Sequence, residues 1–344
     1  METYAYFRLP EQDKATLITQ TGGPLVTLSS IDELDGRTGF VFSPFAPSVS
    51  QPIVLIRPDT YKSVPINEQP SAPEYVTVAP LTSKENEFSA YTADFNRFHH
   101  QLANGYLSKV VLARVSTLIT SAKLSPYTLF CRACKMYPHL FVALVSTPLT
   151  GTWIVATPEL LLSANETECT TMALAGTMKA SDHNNGAEWT DKEYQEQKFV
   201  SLYINSVIRP IAEDVKEEGP DTMTAADLVH LRTKFSFKMK SEYKVVDALS
   251  SLHPTPAVCG LPKNTAQKFI LESEHSPRKY YSGFLGPWGV KSSTSLYVSL
   301  RCMHINNRIL DLYAGGGLLK QSMLKKEWDE TEAKLNTMKK LLHV

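Results

Sequence analysis

The stretch YAGGGLLKQSMLKKEWDETEAK, from Tyr313 to Lys334, opens with a run of glycines and continues into a patterned set of charged residues. Three glycines in a row, Gly315–Gly317, are unusual in a chain that has only 16 glycines among 344 residues. Because glycine permits sharp turns and lets a ligand approach the backbone closely, we predict a backbone cradle in a loop here. We expect this loop to end near Ser322, which would cap a helix that continues through Leu341.

On that helix, Glu327, Glu330 and Lys334 are spaced i, i+3 and i+7, so that their side chains share one face. Two carboxylates and an ammonium beside a backbone cradle would suit an anionic ligand held together with a divalent cation. The same spacing is also found on ordinary amphipathic helices whose charged face is solvated. This stretch by itself leaves both interpretations open.

The composition of the whole chain is that of a globular protein and argues against several functional classes. Hydrophobic residues make up 43% and charged residues 20% of the sequence, which is enough apolar material for a sizeable core. Basic and acidic residues balance at 35 each, whereas a nucleic-acid or membrane-surface binder needs a basic excess. We find no signal peptide and no apolar run near the ~18 residues of a membrane span. Five scattered cysteines predict a reduced, cytoplasmic protein.

Hydrophobic periodicity gives a coarse outline of the secondary structure. Short strand-like segments separated by turns fill residues 1–85. Helices are predicted at Lys84–Asn104 and Tyr127–Tyr137, and HLFVALVST with TGTWIVAT predicts a buried hairpin. The run SLYVSLRCMHI predicts a strand that carries Arg301, whose most natural partner in such a setting is a carboxylate.

The stretch LSKVVLARVSTLIT, rich in β-branched residues, predicts a strand in which Lys109 shares a face with Val111 and Ala113. Burial there would favour the neutral form of the amine, which is a usable base. The alternative is a lysine at the start of a strand that extends its ammonium to solvent.

Glu159 stands inside the apolar run Pro158–Leu162. A carboxyl group in such a setting has either a partner or a raised pKa, and a raised pKa suits a general acid. A glutamate that faces water at the end of a strand is the alternative.

Glu193 and Glu196, on a helix predicted to begin near Asp191, repeat the spacing of Glu327 and Glu330. Two such helices facing each other would supply oxygen ligands to a Mg²⁺ ion that keeps some of its waters. The spacing is nevertheless common on exposed helices.

Taken in order, several motifs resemble those of the chorismate-utilising enzymes, which include the isochorismate, salicylate, anthranilate and aminodeoxychorismate synthases. The motifs are KVVLAR, PELLL, LAGT, KExxEQ, VHLRT, LHPTPAVCG, RxxYSG, LRCM and AGGGL followed by EWDETEAK, within residues 88–341. The resemblance implies a single α/β (α+β) domain over residues 1–344, with two packed antiparallel sheets flanked by helices. Residues 1–87 would form a shortened N-terminal part of the sheets.

Two positions distinguish the members of this family. Aminodeoxychorismate synthases carry a nucleophilic lysine where this chain has Ala175, and amine-forming members tend to carry glutamine where it has Lys109. A lysine at position 109 together with alanine at position 175 is the pattern of the members that use water. The sequence is therefore interpreted as that of an isochorismate synthase.

The resemblance also implies a role for each candidate residue. Lys109 would take a proton from water as it attacks C2 of chorismate, and Glu159 would protonate the departing C4 hydroxyl. Mg²⁺ would be bound directly by Glu196 and Glu330, and through water by Glu193 and Glu327. The remaining residues would contact the substrate, the two glycines of the cradle through their backbone amides: Gly176, Thr177, His253, Tyr281, Arg301, Gly315, Gly317 and Lys334.

Two other functions stay open at this point. A salicylate synthase would add pyruvate elimination to the same isomerisation. A catalytically silent subunit would only bind chorismate or Mg²⁺, although it would have no need of Lys109, Glu159 and four carboxylates together. The expected substrate is the small molecule chorismate, without a glutaminase subunit, and the product would serve menaquinone or siderophore biosynthesis.

Overall fold

The computed structural model describes residues 2–67 and 76–342 of the chain. In chain order its strands are β1 (Thr3–Arg8), β2 (Lys14–Gln20), β3 (Val26–Leu28), β4 (Gly39–Ser43), β5 (Ile53–Ile56), β6 (Thr60–Pro65), β7 (Val78–Pro80), β8 (Lys109–Thr120), β9 (Phe141–Thr147), β10 (Gly151–Thr157), β11 (Leu160–Ala164), β12 (Cys169–Lys179), β13 (Ala212–Ala225), β14 (Leu228–Met239), β15 (Gly260–Leu261), β16 (Phe284–Trp288), β17 (Thr294–Val298), β18 (Cys302–Asn306) and β19 (Ile309–Leu318).

The helices are α1 (Lys84–Ala103), α2 (Pro126–Met136), α3 (Ala180–Asn184), α4 (Asp191–Ile208), α5 (Val245–Leu252), α6 (Lys263–Ser273) and α7 (Leu324–Lys339). Short 3₁₀ turns occupy Ile31–Leu34 and Lys340–Leu342. The predicted helices at α1 and α2 are confirmed, as are the strand β8 and the hairpin of β9 and β10. Within the described ranges, no helix is both long and apolar enough to span a membrane.

The strands form two antiparallel sheets. The first runs β15-β8-β19-β18-β10-β9-β1-β2-β6, with β7 also paired to β8. The second runs β13-β14-β12-β11-β17-β16-β4-β5-β3. The predicted fold of two antiparallel sheets with flanking helices is confirmed, and residues 1–85 contribute strands to both sheets. The predicted extent of a single domain over residues 1–344 stays a prediction.

Aromatic side chains fill the space between the two sheets. The period of two along a strand turns Phe40 and Phe42 of β4 towards the first sheet, whereas Val41 faces the helices on the outer side. The ring of Phe141 in the first sheet stacks on that of Tyr297 in the second, with ring centroids 4.2 Å apart. This cluster anchors the sheets against each other beside the site described below.

Helices cover the outer faces of both sheets. Apolar residues of α4 and α5 pack on the second sheet, and those of α2 and of the C-terminal half of α7 pack on the first. A fourth cluster joins α1 and α6 to the first residues of β8. The five cysteines are buried among these clusters, and no disulfide joins them.

Two chain segments cross between the sheets side by side. At Pro158–Glu159 the chain leaves β10 of the first sheet and enters β11 of the second, and at Ser299–Arg301 it returns from β17 to β18. The Val298 amide donates to the Glu159 carbonyl (2.9 Å), and the Ala156 amide donates to the Arg301 carbonyl (3.0 Å). The crossing therefore places Glu159 and Arg301 next to each other.

The prediction of one continuous strand through Arg301 is wrong. The run divides into β17 and β18 in different sheets, and Arg301 itself adopts a φ of +45° at the point of crossing. Such a conformation is unfavourable for a side chain with a Cβ, and residues held in this way are concentrated at functional sites.

The structure also corrects the predicted loop and helix cap around the glycine run. Gly315–Gly317 lie inside β19, where they pair with residues 111–113 of β8, so no loop begins there. Helix α7 begins at Leu324 after Met323, not after Ser322. The Ser322 hydroxyl instead accepts from the Leu319 amide (3.0 Å) and closes the turn that follows β19.

Candidate active site

One pocket brings together most of the residues predicted from the sequence. It opens where β8, β12 and β19 meet the two crossing segments. Nine of the predicted residues line it: Glu159, Gly176, Thr177, Glu196, Tyr281, Arg301, Gly315, Gly317 and Lys334. Ala175 lines the pocket as well.

The glycine run allows other groups to approach β19 closely. A Cβ on Gly317 would lie 2.1 Å from Oε1 of Glu196, and one on Gly315 would lie 2.7 Å from the Tyr281 hydroxyl. A side chain at either position would displace one of these groups from the pocket. The glycines are therefore explained by the close approach of other groups to the strand and not by a turn.

Strand pairing directs the amides of Gly315 and Gly317 away from β8. Their partners Ala113 and Val111 donate their own amides to Glu274 (2.7 Å) and to the Cys259 carbonyl (2.7 Å), on the side opposite β19. In an antiparallel ladder, both residues of such a pair turn their polar groups outward. Since β18 pairs with β19 only as far as Tyr313 in the described structure, these two amides are available to a ligand.

Lys109 is fully buried, which decides between the two interpretations that the strand pattern left open. Its ammonium nitrogen lies 3.2 Å from Oε1 of Glu196 on helix α4. Val111, two residues further along the same face of β8, lines the pocket. The alternative of an ammonium that extends to solvent is excluded by this position.

Glu159 is 2% exposed at the first crossing segment. Burial raises the pKa of its carboxyl group to about 8, although the nearby charges of Lys109 and Lys334 oppose the rise. The carboxyl group is thus protonated at neutral pH, which is the state that a general acid needs.

Arg301 and His230 form a hydrogen-bonded pair beside the pocket. The imidazole Nδ1 donates to the Gly176 carbonyl (2.9 Å), which leaves Nε2 to accept from the guanidinium of Arg301 (3.0 Å). Burial, together with the charges of Arg301 and Lys334, lowers the pKa of His230 to about 3, so the ring is neutral. This arrangement fixes the direction of the guanidinium.

No carboxylate in the described residues lies within ion-pair distance of Arg301, although its side chain is buried. Burial lowers the pKa of Arg301 only to about 10, so the group stays charged. A buried cation without a protein counter-ion is an incomplete pair, and an anionic ligand in the pocket would complete it. Within residues 2–67 and 76–342, the predicted carboxylate partner is therefore not found among the protein side chains.

Gly176 adopts a φ of +75° at an irregularity of β12 between Ala175 and Met178, which turns its carbonyl towards His230. Thr177 follows, with its hydroxyl 3.4 Å from Nδ1 of the same ring. Sequence reasoning had assigned His230 no role, although it stands within the VHLRT motif. The signal was a single histidine in the middle of an apolar strand.

A cluster of carboxylates on α7 and α4 flanks the other side of the glycine run. Oε1 of Glu327 lies 2.7 Å from the ammonium of Lys192, and Oε1 of Glu330 lies 2.6 Å from that of Lys334. Lys334 also donates to the Gly315 carbonyl (2.8 Å).

The two carboxylates of α7 differ in their ionisation. Burial and the neighbouring charge of Glu330 raise the pKa of Glu327 to about 7. Burial acts in the same direction on Glu330, but the ammonium of Lys334 outweighs it and lowers the pKa of that group.

The donor set fits a divalent cation that prefers oxygen. Glu327 is 1% exposed on its side chain, and its Oε2 has no hydrogen-bond partner among the described groups. An orphaned buried carboxylate oxygen is costly unless something binds it. Among the described residues no three His, Cys, Asp or Glu side chains already converge as a metal site. The ammonium of Lys192 instead pairs with Glu327, and the charges of Glu327, Glu330 and Glu196 raise its pKa against the effect of burial.

Two predicted site residues are directed elsewhere. The His253 ring lies 3.3 Å from the Phe45 carbonyl, packs edge-on against Phe284 and does not line the pocket, so its contact with the substrate stays a prediction. The Glu193 carboxylate accepts the amide of Thr190 (3.1 Å) and caps the start of α4. Because this carboxylate caps the helix, it does not join the carboxylates of Glu196, Glu327 and Glu330.

The chain resembles known proteins in family, in sequence and in structure. The family model described as chorismate binding enzyme matches residues 57–343. The chain is 26% identical over 325 residues to the vibriobactin-specific isochorismate synthase of Vibrio cholerae serotype O1, covering 89% of this chain and 80% of that one. It is 27% identical over 308 residues to the isochorismate synthase EntC of Escherichia coli K12, covering 86% and 78% of the two chains.

Two solved structures share the fold. A putative 2,3-dihydroxybenzoate-specific isochorismate synthase, DhbC from Bacillus anthracis, superposes with a TM-score of 0.83 at 23% identity, covering 99% of this chain and 96% of that one. The menaquinone-specific isochorismate synthase MenF of Escherichia coli superposes with a TM-score of 0.82 at 21% identity, covering 100% and 89%. These matches agree with the two-sheet architecture described above.

Proposed function

The chain belongs to the chorismate binding enzymes, and on that premise we propose that it is an isochorismate synthase. In this reaction water adds at C2 of chorismate, the C4 hydroxyl leaves as water, and the ring double bonds shift between the two carbons. The observation that carries the proposal is a buried, protonated glutamate in the pocket, Glu159, together with the fully buried Lys109 directly behind the pocket residues Glu196 and Gly317.

Water is the nucleophile that the pocket supports. The residue at position 175, where the aminodeoxychorismate synthases carry a nucleophilic lysine, is alanine, and it lines the pocket. The neutral amine of Lys109 would accept the proton of the attacking water, and Glu159 would donate its proton to the departing C4 hydroxyl. Because the nucleophile is water and not ammonia, the enzyme would act without a glutaminase subunit.

Positive charge and free amides would hold the carboxylates of the substrate. Arg301, with its direction fixed by His230, offers a planar pair of donors without a protein counter-ion. Lys334 and the amides of Gly315 and Gly317 offer further donors on β19 and α7. The Tyr281 hydroxyl lies beside Gly315 on the same wall of the pocket.

We propose Mg²⁺ as the cofactor, held directly by Glu196 and Glu330, with Glu327 acting through water. A bound Mg²⁺ ion would draw the charge of Glu196 away from Lys109 and hold the ring carboxylate of the substrate. Glu193, whose carboxylate caps α4, is not one of the proposed metal ligands.

Product analysis tests this function. Purified enzyme should convert chorismate with Mg²⁺ into isochorismate, the kind of product that supplies menaquinone or siderophore biosynthesis. Salicylate and pyruvate would indicate a salicylate synthase, and bound but unchanged chorismate would indicate a silent subunit. Either result would refute the proposal.

Activity should depend on the carboxylates of α7. We expect a chelator to abolish turnover and Mg²⁺ to restore it, and we expect Glu330→Gln to be inactive because the neutral amide is a far poorer ligand. Asp329→Asn is the matched control, since Asp329 is exposed on the same helix and pairs with Lys325. Full turnover in excess chelator, or in Glu330→Gln, would contradict the role of this cluster.

Arg301→Lys should keep the charge and lose the planar, two-pronged contact. We expect kcat/KM to fall by about 2–4 kcal/mol in transition-state stabilisation, because the contact is shielded from solvent. The control is Arg232→Lys, whose side chain pairs with Asp221 near the surface. Kinetics indistinguishable from the unmodified enzyme would make Arg301 a structural residue.

A further inference from the structure

Lys192 contacts the proposed metal cluster but has no place in the reaction described so far. It is the second residue of α4, and its ammonium lies 2.7 Å from Oε1 of Glu327. The Glu327 side chain is 1% exposed, whereas that of Lys192 is 23% exposed. The lysine therefore reaches into the protein from its edge.

Each of the three clustered carboxylates has one lysine beside it. Glu196 has Lys109 at 3.2 Å, Glu330 has Lys334 at 2.6 Å, and Glu327 has Lys192. Lys334 lines the pocket and Lys109 adjoins it. In the proposed reaction Lys109 is the base and Lys334 binds the substrate. Lys192 has no such task, and it acts electrostatically on all three carboxylates.

A divalent cation among these carboxylates would meet the Lys192 ammonium at close range. Two positive charges repel each other strongly where water is largely excluded. The same carboxylates therefore cannot bind the ammonium and the metal ion tightly at the same time. The described carboxylates do not converge as a metal site while the Lys192 ammonium pairs with Glu327.

We propose that Lys192 is an internal placeholder for the metal. Its ammonium stabilises the buried Glu327 carboxylate until a divalent cation binds, and the side chain then moves out to solvent. The exit is open, because Lys192 lies in the first turn of α4 and its side chain is already 23% exposed. The inference rests on the proposed metal site but not on the identity of the reaction.

Metal binding without substrate tests the placeholder. Mn²⁺ titration followed by electron paramagnetic resonance should show that Lys192→Met binds Mn²⁺ about tenfold more tightly than the unmodified protein, because no ion pair has to be broken. Lys198→Met, which removes an exposed lysine from the same helix, should bind Mn²⁺ like the unmodified protein. Equal or weaker binding by Lys192→Met would overturn the inference.

A second measurement uses the unmodified protein and so does not depend on how the variant folds. Acetylation by acetic anhydride, read by mass spectrometry, should label Lys192 several-fold faster when Mg²⁺ is added, with Lys198 unchanged. If Mn²⁺ binds normally but Mg²⁺ does not change the labelling rate of Lys192, the proposed movement of Lys192 is refuted and the metal site is not. Failure of every variant to bind Mn²⁺ would refute the metal site itself.

Discussion

Lys109→Gln should remove isochorismate formation almost entirely. General-base catalysis alone contributes on the order of 10²–10⁴-fold in rate, and a glutamine amide cannot take the proton of an attacking water. Glutamine keeps an unbranched, polar side chain beside Glu196, so the variant should keep its fold and its affinity for chorismate. The measurement is kcat beside the dissociation constant for chorismate.

Lys198→Gln provides the control for Lys109→Gln, since Lys198 is an exposed lysine of α4. It should leave both quantities unchanged. If Lys109→Gln lost affinity for chorismate but kept kcat, Lys109 would be a binding residue and not the base.

Glu159→Gln should be equally inactive, because an amide cannot supply the proton for the departing C4 hydroxyl. In the unmodified enzyme the pKa of Glu159 is about 8, so its carboxyl group is protonated below that value and loses its proton above it. We therefore expect kcat/KM to decline as the pH rises through about 8. An increase across this range would contradict the assignment of Glu159 as the acid.

Stability separates the chemical role of Glu159 from a structural one. Because its pKa is raised in the folded protein, Glu159 lowers stability progressively from its ordinary pKa up to about 8. Glu159→Gln should thus unfold at the same or a higher temperature at pH 8 while it remains inactive. The exposed Glu168→Gln is the matched control and should change neither activity nor unfolding temperature. Inactivity accompanied by a large loss of stability would instead indicate a structural role.

Local patterns in the sequence predicted the elements that are determined by nearby residues. The apolar spacing of α1 and the β-branched residues of β8 were sufficient to identify both. The alternation of β8 left open whether Lys109 is buried or extends to solvent, and the fold shows that it is buried. The motif pattern predicted the family, and the family implied the two packed sheets.

The site departs from the predictions where distant segments decide the outcome. Gly315–Gly317 suggested a loop because glycine is most familiar in turns, but here β8 pairs with the run and Glu196 and Tyr281 pack closely against it. Arg301 lies in a sequence run that looks like one strand, yet the chain changes sheets there. Neither the pairing partner nor the change of sheet is encoded within a few residues.

The two histidines show the same limit. His253 and His230 both stand in motifs of the family, and only the folded chain reveals that the first contacts the Phe45 carbonyl while the second orients Arg301. Lys192 is a further case, because its contact with Glu327 joins residues 135 positions apart.

The central claim is that this enzyme adds water to C2 of chorismate, and isotope incorporation tests it most directly. Run in ¹⁸O-labelled water, the enzyme should place one label at C2 of isochorismate and none in the carboxylates. Unlabelled isochorismate, or an amine at C2 when ammonia is supplied, would contradict the account.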